Sequence, residues 1–528
     1  MRARFRRLDA VSNPPSDEQP YETDGPDGTD GTYDAAGDED RQPPREADMA
    51  VIEAGSRTLR AQVSPPSPED DVPGRPADPA LDRELREVEE ELLGRWPETK
   101  LDPSLDRMTA LMDILGEPQR TYPAIHVTGT NGKTSTARMI ERLLLAFDLR
   151  TGRYTSPHVQ SVTERISLDG VPISAERFIE TYRDLRPYIA MVDETRPHRL
   201  SFFEVLTGMA YAAFADAPVD VAVVEVGMGG SWDATNVVDG QVAVITPIAL
   251  DHTERLGPTP GDIAVEKGGI IKKDATAVIA QQPADAAKVL LKRAVEVDAT
   301  VAREGMEFGV LHRELAVGGQ MLTLRGLGGE YEQVFLPLHG EHQAHNAAIA
   351  LAAVEAFFGI GSMHHRILDL DTVRQAFASV TSPGRLEVVR RSPTVLLDAA
   401  HNPAGAQVTA AAVSEVFGFT HLVGVVGPSG DKDVRGLLEA FEPVFAEVVV
   451  TRNSTKRAMD IDELAALAVE VFGEERVQVE TRLDDALEAA ITLAEEEGAY
   501  AGAGVLVTGS VITVGEARLL LGPQGTAK

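Results

Sequence analysis

At 528 residues and 43% hydrophobic, the chain has room for two or three domains with large cores. Its 83 acidic and 50 basic residues give a formal net charge of −33, which repels a nucleic-acid backbone at long range. Cysteine is absent, which excludes disulfides, thiolate metal sites and cysteine nucleophiles; no apolar run is long enough to cross a bilayer, and the expectation is a cytoplasmic protein with neither a membrane nor a nucleic-acid partner.

Residues 1–80 are rich in Asp, Glu, Pro, Gly and Ser and poor in large apolar side chains, a composition that predicts a disordered acidic tail. The basic start, Met1 to Arg7, lacks the hydrophobic segment of a secretory signal. Helical patterning begins at 81–93, and a second amphipathic stretch follows at 105–115. An apolar strand-like run, 124–127, then leads through Thr128, Gly129, Thr130, Asn131, Gly132, Lys133, Thr134 and Ser135 into a helix with Met139, Ile140, Leu143, Leu144 and Phe147 on one face.

A glycine-rich turn between strand and helix leaves backbone N–H groups unpaired at the positive end of the helix, where an anion binds. Lys133 adds a mobile charge for the outer phosphates, and Thr134 or Ser135 can face a magnesium ion. The usual P-loop spacing has glycine where this chain has Val127, so the loop is a variant of that triphosphate site. Gly129 to Ser135 are therefore ATP-binding candidates.

Near-continuous apolar runs at 219–226 and 242–247, separated by helical stretches, read as parallel strands covered on both faces. Residues 301–338, with Gly318-Gly319 and Gly328-Gly329 turns, predict a small antiparallel insertion. After Thr381-Ser382-Pro383-Gly384 the alternation resumes. Strands are expected at 394–398, 421–426, 447–451 and 505–508, and helices at 406–417, 437–445, 461–472 and 483–497. The bottom-up result is a two-domain α/β protein, the second domain doubly wound.

Four polar clusters sit at or beyond strand ends, where open α/β sheets hold ligands. Glu225 closes an apolar run and needs a cation or backbone donors to offset its desolvation. Asp251-His252 follows a strand and, taken alone, reads better as a structural histidine. Lys267 ends a helix beside Gly268-Gly269, as many surface lysines do. Asp398 and His401-Asn402-Pro403 could grip a base or ribose, or Asn402 could simply cap a helix that starts at Pro403.

These clusters, with Thr155-Ser156-Pro157-His158, Phe202-Phe203-Glu204, Asp233-Ala234-Thr235-Asn236, Glu266-Lys267, Asn346, Pro383-Gly384-Arg385, Asp431-Lys432-Asp433 and Thr508-Gly509-Ser510, closely resemble the folylpolyglutamate synthase/dihydrofolate synthase family of the Mur ligase superfamily. The resemblance runs from about Leu81 to Gly522; small-for-small departures stand at Gly268, Ala399 and Ala400. It implies a P-loop, Mur-ligase-type ATPase domain with a mostly parallel sheet over residues 81–382 and a Rossmann-like α/β domain over 383–524. It also implies ATP-dependent addition of L-glutamate to dihydropteroate, to the γ-carboxyl of a reduced folate, or to both, through an acyl phosphate; nothing in the sequence suggests an obligate oligomer, and a monomer is expected.

By the same resemblance, ATP lies against Asn346, Arg385, Asp398 and His401 as well as the loop. Thr134, Ser156 and Glu225 surround one Mg²⁺, and Glu225 and His252 serve a second. Thr155, Ser156, Pro157, His158 and Asp233 hold the pterin substrate. Lys133, Lys267, His252 and Arg385 take catalytic roles, with Lys267 carbamylated to N6-carboxylysine and Arg385 brought to the phosphates by domain closure. Two alternatives are kept: a ligase of the same superfamily acting on a nucleotide-sugar peptide, and a nucleotide-dependent switch, although the chain lacks the Asn-Lys-x-Asp guanine-reading motif.

Overall fold

The computed structural model describes residues 79–96, 103–361, 366–497 and 502–522. The expected acidic tail lies outside them, except that Pro79 and Ala80 already open the helix Pro79–Leu93. Among the described residues no helix is long and apolar enough to cross a membrane.

Eight strands form the first sheet: β1 (Ala124–Thr128), β2 (Thr151–Tyr154), β3 (Ile166–Leu168), β4 (Val171–Pro172), β5 (Val221–Glu225), β6 (Gly240–Ile245), β7 (Thr276–Ile279) and β8 (Thr300–Arg303). Their order is β4-β3-β2-β5-β1-β6-β7-β8, parallel except for β3 and β4. Every residue of β1 and β5 is buried. Period-2 alternation then sorts each strand onto two helical layers. Ile125, Val127, Val221 and Val223 pack with Leu143 and Leu144 of the helix Lys133–Ala146 and with the alanine-rich helix Glu341–Phe357. Ala124, Ala222 and Val224 face the opposite layer, with Phe178 and Tyr211.

The antiparallel insertion is present as β9 (Gly309–Ala316), β10 (Gly319–Arg325) and β11 (Glu330–Leu336), turning at Gly318 and at Gly328-Gly329. It starts later than the sequence suggests. Residues 300–303 instead form β8, parallel to β7, because a half-buried edge strand alternates much as a hairpin strand does.

The third sheet comprises β12 (Glu387–Arg391), β13 (Thr394–Leu397), β14 (His421–Val426), β15 (Glu447–Val450), β16 (Val477–Val479) and β17 (Ala503–Thr508). Its order is β12-β13-β17-β14-β15-β16, with only β12 antiparallel. The expected helices appear, two of them starting about a turn earlier, as Pro403–Val416 and Val434–Phe441, and the second also ending about a turn earlier. β2, β3, β4, β7, β12 and β16, each only two to five residues long, had no counterpart in the sequence reading. In both parallel sheets the loops at the carboxyl ends of the strands face one shared cleft, and that placement assembles the site.

Candidate active site

A cavity of about 720 Å³ runs along the carboxyl edge of the first sheet and is closed over by loops of the third. Sheet order fixes its layout. The phosphate loop follows the central strand β1; residues after β2 and β5 lie to one side, and residues after β6, β7 and β8 to the other.

The loop itself is held by backbone and side-chain bonds to the segment after β6. The Thr130 N–H donates to Pro247 O at 3.0 Å, and its hydroxyl to Ala249 O at 3.0 Å. At Gly129 (φ +146°) an added Cβ would lie 1.9 Å from Thr246 Oγ1, and at Gly132 (φ +86°) 2.6 Å from Asn346 Oδ1. Only glycine fits such close approaches in that backbone region. Lys133 Nζ folds back onto the carbonyls of Gly129 and Thr130, at 3.1 and 3.0 Å. Ser135 Oγ meets Ser382 Oγ at 3.1 Å, tying the loop's helix to the joint between the two sheets.

Thr134, Ser156 and Glu225 converge as the resemblance implied. Thr134 Oγ1 donates to Glu225 Oε1 at 2.9 Å, and the Ser156 N–H to Glu225 Oε2 at 3.4 Å. Burial raises the Glu225 carboxyl above its ordinary range, against the pull of Lys133, Thr134 and Ser156. The Thr134 hydroxyl and the Glu225 carboxylate, with Ser156 beside them, are hard-oxygen donors suited to magnesium, which keeps several waters and substrate oxygens of its own. Among the described residues no three His, Asp or Glu side chains form a cage without such help. His252 sits elsewhere in the cleft (φ +51°), with its Nε2 3.1 Å from Lys432 Nζ and 3.9 Å from Asp251 Oδ2. Burial lowers its pKa to about 4, so the ring is neutral and its Nε2 accepts from Lys432 Nζ; a metal ion there would have to displace that ammonium.

Lys267 is 4% exposed, and its Nζ donates to Gly129 O at 2.7 Å. This excludes the surface reading of that lysine. Burial, reinforced by Lys133, pulls its pKa down to about 7, which leaves a large neutral amine fraction at ordinary pH.

The remaining expected residues divide. Ser156, Pro157, Asp233, Asn346, Arg385, Asp398 and His401 line the cavity. Thr155 and His158 do not: they face a small side chamber with Arg138, Ser382 and Arg385. There Thr155 Oγ1 accepts from Arg153 and His158 Nδ1 from Arg165, which gives both a scaffolding job. Asp398 also has structural duties, accepting from the N–H groups of Ala400 and Leu386 and from Thr409 Oγ1. Asn402 caps its helix through Gly405 N–H at 2.8 Å, as the bland reading had it, and also exchanges hydrogen bonds with Asn131 at 3.1 and 3.3 Å.

A family model for the Mur ligase middle domain matches residues 127–354, and one for the Mur ligase glutamate ligase domain matches 384–511. The chain is 54% identical over 459 residues to the dihydrofolate synthase/folylpolyglutamate synthase of Mycobacterium tuberculosis, covering 83% of this chain and 94% of that one. A structure of M. tuberculosis folylpolyglutamate synthase complexed with ADP superposes with a TM-score of 0.81, at 54% identity, over 84% of this chain and all of that one (100%). Escherichia coli FolC in complex with DHPP and ADP gives a TM-score of 0.70 at 29% identity, over 84% and 97%. The chain belongs to the folylpolyglutamate synthase/dihydrofolate synthase family of Mur ligases.

In this Mur ligase several cavity residues lay outside the sequence-derived site set. Asp251 accepts from Lys432 Nζ at 2.7 Å and from Asn402 Nδ2 at 3.3 Å, and lies 3.7 Å from His401 Nε2. Burial pushes its carboxyl up, but His401, Lys432 and His252 outweigh that and hold it well below the carboxylate range. Trp96 and Phe203 supply aromatic surface on the β2–β5 side, where Glu204 pairs with Arg107 at 2.9 Å, and Trp232 adds a further ring packed against the cluster of Ile248, Leu256 and Ile263. Phe203 and Glu204 were visible as a motif without a role. Trp96 and Trp232 carried no signal beyond being the chain's two tryptophans.

Proposed function

We infer that the chain is an ATP-dependent acid–amino-acid ligase that adds L-glutamate to dihydropteroate, to the γ-carboxyl of a reduced folate, or to both. The observation that carries this reading is one continuous cavity joining three kinds of surface. It has aromatic walls on the β2–β5 side, a phosphate loop with Thr134, Ser156 and Glu225 in the centre, and polar groups after β7 and β8 on the other side. A flat pterin acid, a triphosphate and a nucleoside fit that sequence of surfaces.

A carboxylate is a poor electrophile. Its oxygen attacks the γ-phosphorus of ATP, ADP leaves, and the resulting acyl phosphate has a phosphate leaving group. The glutamate α-amine then attacks the carbonyl carbon; the tetrahedral intermediate collapses to the amide, and phosphate departs. Crowding so much negative charge requires positioning and neutralisation above all. We assign Lys133 to the outer phosphates, reached by swinging off its own loop carbonyls, and Arg385 to the same charge from the joint between sheets. The backbone N–H groups of 129–134, Asn346, Asp398 and His401 form the ATP cradle.

Magnesium, held by Thr134, Ser156 and Glu225 with a second position at His252, would neutralise charge on the phosphates. Lys267, buried and largely neutral, is suited to react with CO₂, losing a proton and becoming an anionic oxygen donor. Asp233 and the Ser156–Pro157 turn contribute to the acceptor side, with residues 81–382 as the ATPase part and 383–524 as the glutamate-ligase part. We take a monomer as the working unit.

The test is coupled turnover. Protein with Mg²⁺, ATP, L-glutamate and either dihydropteroate or tetrahydrofolate is expected to release one phosphate per new amide, with the product identified by mass. Turnover only with nucleotide-sugar peptides, or nucleotide hydrolysis indifferent to any acceptor, would overturn the assignment.

A further inference from the structure

The antiparallel insertion β9-β10-β11 has no task in the chemistry above, yet one of its residues reaches the other half of the molecule. Arg313 of β9 donates from its two terminal nitrogens to the two carboxylate oxygens of Glu415, at 2.7 and 2.6 Å. Its Nε donates to Gln320 Oε1 at 2.6 Å. Gln320, fully buried on β10, donates in turn through Nε2 to the carbonyls of Leu338 and Gly340, at 2.9 and 3.1 Å. Gln320 thus aims the planar guanidinium, and the fork meets the carboxylate squarely. The Arg313 side chain is 16% exposed and that of Glu415 39%. Neither lines the cavity.

Glu415 lies near the end of the helix Pro403–Val416, whose start covers the cleft. Ala404, Val408, Ala412 and Glu415 recur at helical spacing and share one face. Ala404 and Val408 line the cavity. Ala412 abuts Gly340 (φ +95°), where an added Cβ would lie 2.9 Å from the Ala412 Cβ. Glu415 completes the face on Arg313. The helix is therefore held at both ends: its cap Asn402 on Asn131 of the phosphate loop, and Glu415 on the insertion about 20 Å further along the axis. Gly340 also opens the helix Glu341–Phe357, whose Asn346 abuts Gly132 of the loop. One bracket sets both helices.

We propose that Arg313 is a positioning residue for the nucleotide: by gripping Glu415 it seats the helix Pro403–Val416 over the cleft, which makes the antiparallel insertion the arm that shapes the nucleotide compartment. This rests on the ATP reading above and extends it to a residue outside the cavity. Arg313 touches no ligand, and its effect passes through the helix. Without the bracket the far end of the helix can lift, pivoting on Asn402, and the surface supplied by Val408 is lost first. The aromatic walls Trp96 and Phe203 belong to the other half and are expected to be indifferent. Solvent screens a partly exposed pair, so the loss is modest, about fivefold in nucleotide affinity.

The experiment measures binding of a fluorescent N-methylanthraniloyl ADP, and of dihydropteroate or tetrahydrofolate, to the full chain with Mg²⁺. Arg313→Gln, Glu415→Gln and the double variant are first compared with wild type by melting temperature. Glu415→Gln, at an exposed position, decides the matter if the Arg313 variant folds poorly. Each single substitution is expected to weaken ADP binding about fivefold and the double no further, with acceptor affinity within about twofold of wild type. Unchanged ADP affinity in the folded single variants, losses that multiply in the double, or an equal loss for the acceptor overturns the proposal. If wild type binds no ADP, the ATP reading falls and this proposal with it. If it binds ADP but forms no glutamyl amide, only the substrate reading falls, and the ADP affinities still decide the role of Arg313.

Discussion

Lys432 and Asp251 meet across the cleft, Nζ to Oδ1 at 2.7 Å, one following β14 of the third sheet and the other following β6 of the first. Both side chains are about nine-tenths buried, at 9% and 11% exposure. With Asn402 and His401 gathered on the same carboxylate, Asp251 is the principal polar fastening between the two α/β parts at the phosphate loop.

Asp251→Asn keeps the size of the side chain and removes the charge that Lys432 faces. Turnover is expected to fall at least tenfold, with little change in folate affinity. A double-mutant cycle with Lys432→Met should show coupling of about 2 kcal/mol or more in catalysis. Strictly additive effects would mean that the pair does not hold the closed arrangement.

Lys267 makes a prediction whose sign can be worked out. Carbamylation consumes the neutral amine, and the pKa of this amine is depressed to about 7. Incorporation of isotope-labelled bicarbonate at Lys267 should therefore be high above pH 7 and fall as the pH drops below it. In the unmodified protein the unfolded chain holds the lysine proton more tightly, so stability should rise with pH from about 7 to the ordinary lysine pKa. Lys267→Ala should lose activity and regain part of it with an added short carboxylate; full activity without the lysine would remove the carbamate.

Arg385 lines both the main cavity and the side chamber, and its own hydrogen bond is to the neighbouring Gly384 carbonyl at 3.2 Å. The adjoining backbone is fixed by the Asp398–Leu386 bond at 3.0 Å. Arg385→Ala is expected to lower kcat by two orders of magnitude or so while folate affinity changes less than threefold, consistent with charge stabilisation at phosphates. Equal losses in both would assign Arg385 to the acceptor instead.

Gly515 lies in the last helix, Val511–Leu521, where an added Cβ would stand 1.9 Å from the Val159 carbonyl oxygen. Gly515→Ala must push this helix off the loop after Pro157, at an overpacking cost of about 1–3 kcal/mol. Small-angle scattering should report a more open molecule and steady-state assays a lower turnover. Wild-type values in both would show that the contact is not needed for closure.

The phosphate loop, the buried central strands and most helices of the third-sheet region were legible because each is a long apolar pattern ending in residues with a definite physical job. Glu225 could be singled out as a charge misplaced in an apolar strand. The short strands β2, β3 and β16 were not legible, since three or four mixed residues carry no period. Thr155 and His158 show a different limit: a motif locates a segment, but alternate residues of a turn face different chambers. Asp251 was noticed as a neighbour of His252, yet its main partners, Lys432 and Asn402, are 181 and 151 residues away.

The walls of the cleft are unevenly shared. Trp96, Phe203 and Trp232 all precede the joint at Ser382, whereas the nucleoside side borrows Ala404, Gly405 and Val408 from beyond it. On the reading proposed above, parting the two halves would dismantle the nucleotide compartment and leave the aromatic berth intact. An acceptor could thus stay seated while ADP is exchanged for fresh ATP, so that several residues are appended in one residence.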